Sequence, residues 1–251
     1  NHILRDMCPT ATRSLASTGL IGHQLVSDFN KRAYRIDLFL RPFFTFAQYM
    51  AFRTIQTFTG LLISGSSTLQ FMDHTVYAGS DLDLYVHYHS IRCVHDWLIS
   101  IGYQFILPSM YSSLDAMFQD FIVVEGIPLQ SGPRMYIGSG ILGVLKYVNG
   151  QNKKIDIIAT LFTPLHAILG FHSTCVMNVI SYAHAILLYP RATFVDRVAY
   201  HTSSSKRHDI DAIAKYAARG WTMISRQEAL SRPEFQTGRR IGDKYCWVIP
   251  L

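Results

Sequence analysis

The sequence predicts an α/β protein, a small mixed sheet flanked by helices and followed by a mainly helical C-terminal region. Three observations carry this expectation. Residues 81–87 alternate Asp or another polar group with Leu, Leu and Val, the signature of a half-buried strand. Asn149-Gly150 sits between two apolar runs, as a hairpin turn does. Apolar residues recur at helical spacing before position 58 and again after Pro164. Hydrophobic residues are 49% of the 251 and aromatics 13%, enough to bury a real core and to exclude a disordered chain.

In order along the chain, residues 1–28 carry little pattern and are expected to be loosely organised. Residues 30–58 read as one or two helices broken near Pro42, ended by Gly60. The stretch from Leu38 to Ile63 is apolar enough to suggest a membrane span. Arg41, Pro42 and Arg53 interrupt it, so a buried helix leading into a strand is expected, with no membrane partner. Leu61-Leu62-Ile63 reads as a short buried strand, and 66–72 as a helix capped by Ser66 or Ser67. After the strand at 81–87, residues 90–101 form an amphipathic helix ending at Gly102. Phe121 to Val124 reads as a strand and 126–140 as a loop. Val144 to Val148 and Lys154 to Ile158 are paired by a type I′ turn at Asn149-Gly150, since Asn and Gly accept the positive φ it needs. Helices are expected at 164–170, 172–188 and 206–219, and little periodicity follows. The expected organisation is an N-terminal helical segment at 1–57, a core at 58–165 and a helical region at 166–251.

Charge is unevenly spread. The formal net charge is +6, yet residues 61–160 hold more Asp and Glu than Lys and Arg, and both flanks are basic. An acidic centre in a basic surround suits a polyanion held through cations, although a solvated surface explains the same counts. Cys8, Cys93, Cys175 and Cys246 are far apart with no CxxC pair, which argues against a zinc ribbon or a thioredoxin-like site. Reduced thiols and an intracellular, cytoplasmic location are the expectation.

The chemistry points to Asp81 and Asp83. Two apart in a strand, they aim at one face while Leu82, Leu84 and Val86 face the core. Two like charges so placed repel, and a divalent cation with a taste for hard oxygen ligands is the natural compensation. Asp156 lies between Ile155 and Ile157 on another predicted strand, which the hairpin can bring into the same sheet. Three converging carboxylates can hold two Mg²⁺ or Mn²⁺ ions about 3.5–4 Å apart, the clamp for in-line displacement at phosphorus. Gly65 and Ser66 stand where a strand hands over to a helix, a place where backbone N–H groups and the helix dipole accept phosphate.

In this order, Ile63-Ser64-Gly65-Ser66, then Ser80-Asp81-Leu82-Asp83-Leu84-Tyr85-Val86, then Lys154-Ile155-Asp156-Ile157-Ile158, the chain resembles the DNA polymerase beta-type nucleotidyltransferase superfamily. Within it, the chain looks most like fungal nucleotidyltransferase-like proteins. The match spans about residues 58–160, with a long spacer between Ser66 and Asp81. The resemblance implies that Asp81 and Asp83 bind the metal on an NTP such as ATP and share a second ion. It implies that Asp156 completes the second site and helps activate an acceptor hydroxyl. Gly65 and Ser66 would contact the β- and γ-phosphates. The reaction implied is nucleotidyl transfer with pyrophosphate release, to an RNA end, a protein hydroxyl or a small molecule. The alternative is a module that keeps the fold without catalysis and binds nucleotide, nucleic acid or protein.

Other motifs are weaker. Gly138-Ser139-Gly140-Ile141-Leu142-Gly143 matches a dinucleotide fingerprint in letters, but strand-like residues follow it where a helix is required. His87 and His89 share a strand face and His95 lies on the next helix, but no Cys or third zinc ligand has a recognisable spacing. Ser173 or Thr174 is expected to cap a helix, and Lys206, Arg207, Lys215 and Arg219 to line a solvated helix face or border a polyanion.

Overall fold

The structure is a computed structural model and describes residues 4, 7, 9–77, 79–122, 140–202, 207–236 and 238–251. In chain order its elements are α1 (Pro9–Ala16), α2 (Leu20–Ala33), α3 (Ile36–Leu40), α4 (Phe46–Thr59), β1 (Leu62–Ser64), α5 (Gly65–Asp73), β2 (Leu82–His87), α6 (Ile91–Ser100) and β3 (Gln104–Ile106). These are followed by α7 (Leu114–Ile122), β4 (Ile141–Val148), β5 (Lys154–Thr160), α8 (Pro164–Leu169), β6 (Asn178–Ile180), β7 (His184–Leu187), β8 (Val198–Tyr200), α9 (Arg207–Ala218), β9 (Thr222–Ile224), α10 (Arg226–Leu230) and β10 (Trp247–Pro250). The expected mixed α/β class holds, with mostly antiparallel sheet flanked by helices. No helix among the described residues is long and apolar enough to cross a membrane.

The chain divides into two compact units, one of residues 40–67 and 77–170, the other of 1–39, 68–76 and 171–251. In the first, the strand order is β1-β2-β5-β4-β3. β2 and β5 run parallel, and the other neighbours are antiparallel. Leu82, Leu84 and Val86 are fully buried, as the alternation predicts. In β5 the buried run Ile157-Ile158-Ala159-Thr160 loses alternation, because a central strand is covered on both faces. α4 starts where Thr45 and Gln48 form a reciprocal capping box and stops at Gly60, φ 65°. Phe44, Phe52 and Trp97 stack into the core beside Tyr103.

The second unit holds the antiparallel set β10-β7-β6 and a parallel pair, β8 with β9. Residues 172–188, expected as a helix, instead form the β6–β7 hairpin. A continuous apolar run fits a buried strand as well as a helix. Here Ser181 decides between them. Its N–H donates to the His184 carbonyl at 2.8 Å, and its Oγ accepts from the His184 N–H at 3.0 Å, closing a tight turn. Strands thus enter the C-terminal region alongside its helices. Within residues 1–28, expected to be loosely organised, Pro9–Ala16 is helical and the helix Leu20–Ala33 begins. Phe121 and Ile122, expected in a strand, end α7, and the rest of that segment lies outside the described residues, as does most of 126–140. Asp73 receives both terminal nitrogens of Arg197 at 2.8 and 2.9 Å, and the Trp221 indole donates to the Thr193 carbonyl.

Candidate active site

β2 and β5 bring the predicted carboxylates together. Their parallel register sets Asp83 directly opposite Asp156, so both side chains share a face on strands about 4.8 Å apart. Asp81 stands just before β2 and close enough to Asp156 for its charge to be felt there. On the other side of β2, Ser64 pairs with Asp83, and Gly65 follows at the start of α5. Gly65 has φ 76°, and a Cβ on it would overlap the Asp83 Oδ2. The glycine is therefore required twice, for its backbone angle and to seat the carboxylate. Ser66 is buried in the first turn of α5, and Ser67 Oγ donates to the Ser64 carbonyl at 3.3 Å.

Burial raises the Asp156 carboxyl above the usual carboxylate range. Lys146 opposes this and Asp81 adds to it. Lys146 Nζ lies 3.7 Å from Asp156 Oδ2 on the neighbouring strand β4, in direct register. Sequence reasoning missed Lys146, and the reason is the turn. A two-residue Asn149-Gly150 turn would pair Lys146 with Lys153. The loop instead runs from Asn149 to Lys153, with the positive φ at Asn152 (57°) rather than at Gly150. The register shifts by an odd number, which flips faces and puts Lys146 against Asp156.

Asp81, Asp83 and Asp156 are hard oxygen donors, the kind that Mg²⁺ and Mn²⁺ take, and Lys146 lies beside Asp156. Among the described residues, no group of three or more His, Cys, Asp or Glu side chains is placed so that it could hold a metal ion. The other sequence candidates fall elsewhere. His95 is buried, its Nδ1 2.7 Å from the Tyr147 hydroxyl, and burial lowers its pKa. The His87 and His89 rings are tilted against each other with centroids 5.2 Å apart. Gly140 is a turn and Ile141–Gly143 are strand, while Gly138 and Ser139 lie outside the described residues. Ser173 is fully buried with Oγ 3.2 Å from Cys175 Sγ, and the Thr174 hydroxyl accepts from the Tyr200 N–H, so neither caps a helix. Lys215 and Arg219 both lie over the Tyr216 ring.

Comparison of the chain with protein-family models, with curated proteins and with solved structures returned no match.

Proposed function

We propose that the chain is a divalent-cation-dependent nucleotidyltransferase. The observation that carries this reading is the direct pairing of Asp83 with Asp156 across parallel strands, with the Asp83 carboxylate seated on Gly65. Asp81, Asp83 and Asp156 would hold the cations. When bound, these supply charge neutralisation of the triphosphate. The start of α5 at Gly65 and Ser66 would receive the phosphate tail at the positive end of the helix dipole. Asp156 completes the cation site and helps activate the acceptor hydroxyl, accepting its proton. The acceptor oxygen then bonds to the α-phosphorus as the bond to the β-phosphate bridge breaks, and pyrophosphate leaves with the electron pair.

The test incubates the chain with each labelled NTP, Mg²⁺ or Mn²⁺, and a mixture of RNA, protein and small-metabolite acceptors. Label should enter one pool with release of pyrophosphate. Mg²⁺-dependent NTP binding should disappear in Asp81→Asn with Asp83→Asn. NTP binding equal to wild type in that double variant would displace the site. Binding with no transfer to any acceptor would favour the non-catalytic module.

A further inference from the structure

The order of strands in the first unit also orders the ligands of the proposed reaction. In-line displacement at phosphorus requires the acceptor to approach from the side opposite the leaving pyrophosphate. Gly65, where the phosphate tail would bind, follows β1, on one side of the carboxylate strands β2 and β5. The body of the acceptor must then lie over the strands on the other side, β4 and β3.

Register shows what those strands present, because residues paired across neighbouring strands share a face. One row runs Asp83, Asp156, Lys146, Ile106 across β2, β5, β4 and β3, in steps of about 4.8 Å. The row on one side of it runs Lys154, Val148, Gln104 across β5, β4 and β3. The row on its other side, Tyr85, Ile158, Val144, is closed, with Tyr85 and Ile158 buried. The reverse face of the same strands carries Leu145, Tyr147, Ile155 and Ile157, all buried in the core. The open surface beside Asp156 is therefore narrow and defined. The Lys146 side chain is 63% exposed and Ile106 51%, and Lys154 and Gln104 are exposed as well. Lys146 Nζ stands 3.7 Å from Asp156 Oδ2, longer than a hydrogen bond, so the ammonium retains donors for another anion. Beyond Asp156, among the described residues, this face of β5, β4 and β3 carries two lysines and no carboxylate. Cations placed here lie on the far side of Asp156 from the triphosphate. They are positioned for a negative charge on the acceptor.

We propose that β4 and β3 form the acceptor seat, and that the acceptor carries a phosphate close to its reacting hydroxyl, held by Lys146 and Lys154, with its sugar against Ile106 and Val148. The chemistry is that of a ribose phosphate, at the 3′ end of an RNA or in a small phosphorylated sugar. This inference rests on the nucleotidyltransferase reading and narrows its acceptor, setting aside protein and uncharged hydroxyls.

The experiment follows binding of 5′-fluorescein hexauridylate with a free 3′ hydroxyl to the full chain in Mg²⁺ by fluorescence anisotropy, with ribose 5-phosphate and ribose as competitors. Ribose 5-phosphate should compete and ribose should not. Lys146→Ala with Lys154→Ala, both exposed positions, should weaken binding about tenfold and reduce the slope of log affinity against log salt by about one. Lys146→Arg should restore binding beside an intact Lys154, since the seat needs charge. A merely structural lysine would leave the salt slope unchanged. Tighter binding of hexauridylate than of ribose 5-phosphate assigns the seat to an RNA end, and the reverse to a small acceptor. No binding of either probe, equal competition by ribose, or an unchanged affinity and slope in the double lysine variant would overturn the proposal. Nucleotidyl transfer to a protein or uncharged hydroxyl would overturn it while leaving the catalytic reading in place. Lysine-dependent binding without transfer to any acceptor would support the phosphate seat and remove the catalytic reading instead.

Discussion

Asp156 shows how one residue sets function against stability. Its folded-state pKa is raised, first by burial and then by Asp81, against the pull of Lys146. A group of this kind contributes stability below the ordinary carboxylate range and loses it as pH rises through the elevated folded value. In EDTA, the stability of wild type should therefore contain a component that is lost as pH climbs from strongly acidic toward neutral, and Asp156→Asn should lack that component. At neutral pH the variant should melt a few degrees higher, a shift that corresponds to about 1 kcal/mol in a chain of this size. Parallel melting curves across pH would refute this account of the carboxylate. Gly65 makes the complementary case. An alanine there needs φ 76° and overlaps Asp83 Oδ2. Gly65→Ala should cost about 1–3 kcal/mol in urea unfolding, and a midpoint unchanged from wild type would count against the close seat. Gly65, Asp81, Asp83 and Asp156 were legible in the sequence because each is a residue type out of place in its local context. Lys146 was not, because nothing local marks a lysine on an alternating strand.

At the scale of elements, legibility followed the strength of local signals. The break near Pro42, the stop at Gly60 and the start at Pro164 all arose from residues that act on their own backbone. The β4–β5 hairpin was foreseen, but its turn was not. The Asn149 side chain builds the loop, its Oδ1 accepting from the N–H groups of Gln151 at 3.0 Å and Lys153 at 2.9 Å. Asn149→Ala removes both bonds and should cost about 1 kcal/mol. Hydrogen exchange should quicken at Gln151 and Lys153 while the paired amides of β5 stay protected. Unchanged exchange at those two amides would mean that the asparagine does not hold the register. Residues 172–188 failed for a different reason. A continuous apolar run carries no period, and a side chain-to-backbone bond at Ser181 chose the hairpin.

For the whole molecule, the sequence by itself determined the α/β class and the carboxylate trio with its glycine. These rest on composition, alternation and residue identity, which are local properties. Tertiary structure decided what depends on register. It set Asp83 beside Asp156 rather than a residue away, and brought Lys146 to the same face through a five-residue loop. It also brought β10, more than two hundred residues along the chain, against α1 and α2. The physical reason is common to both. A strand's period of two makes every contact hinge on parity, and elements far apart in the chain carry no mark of one another in their sequences.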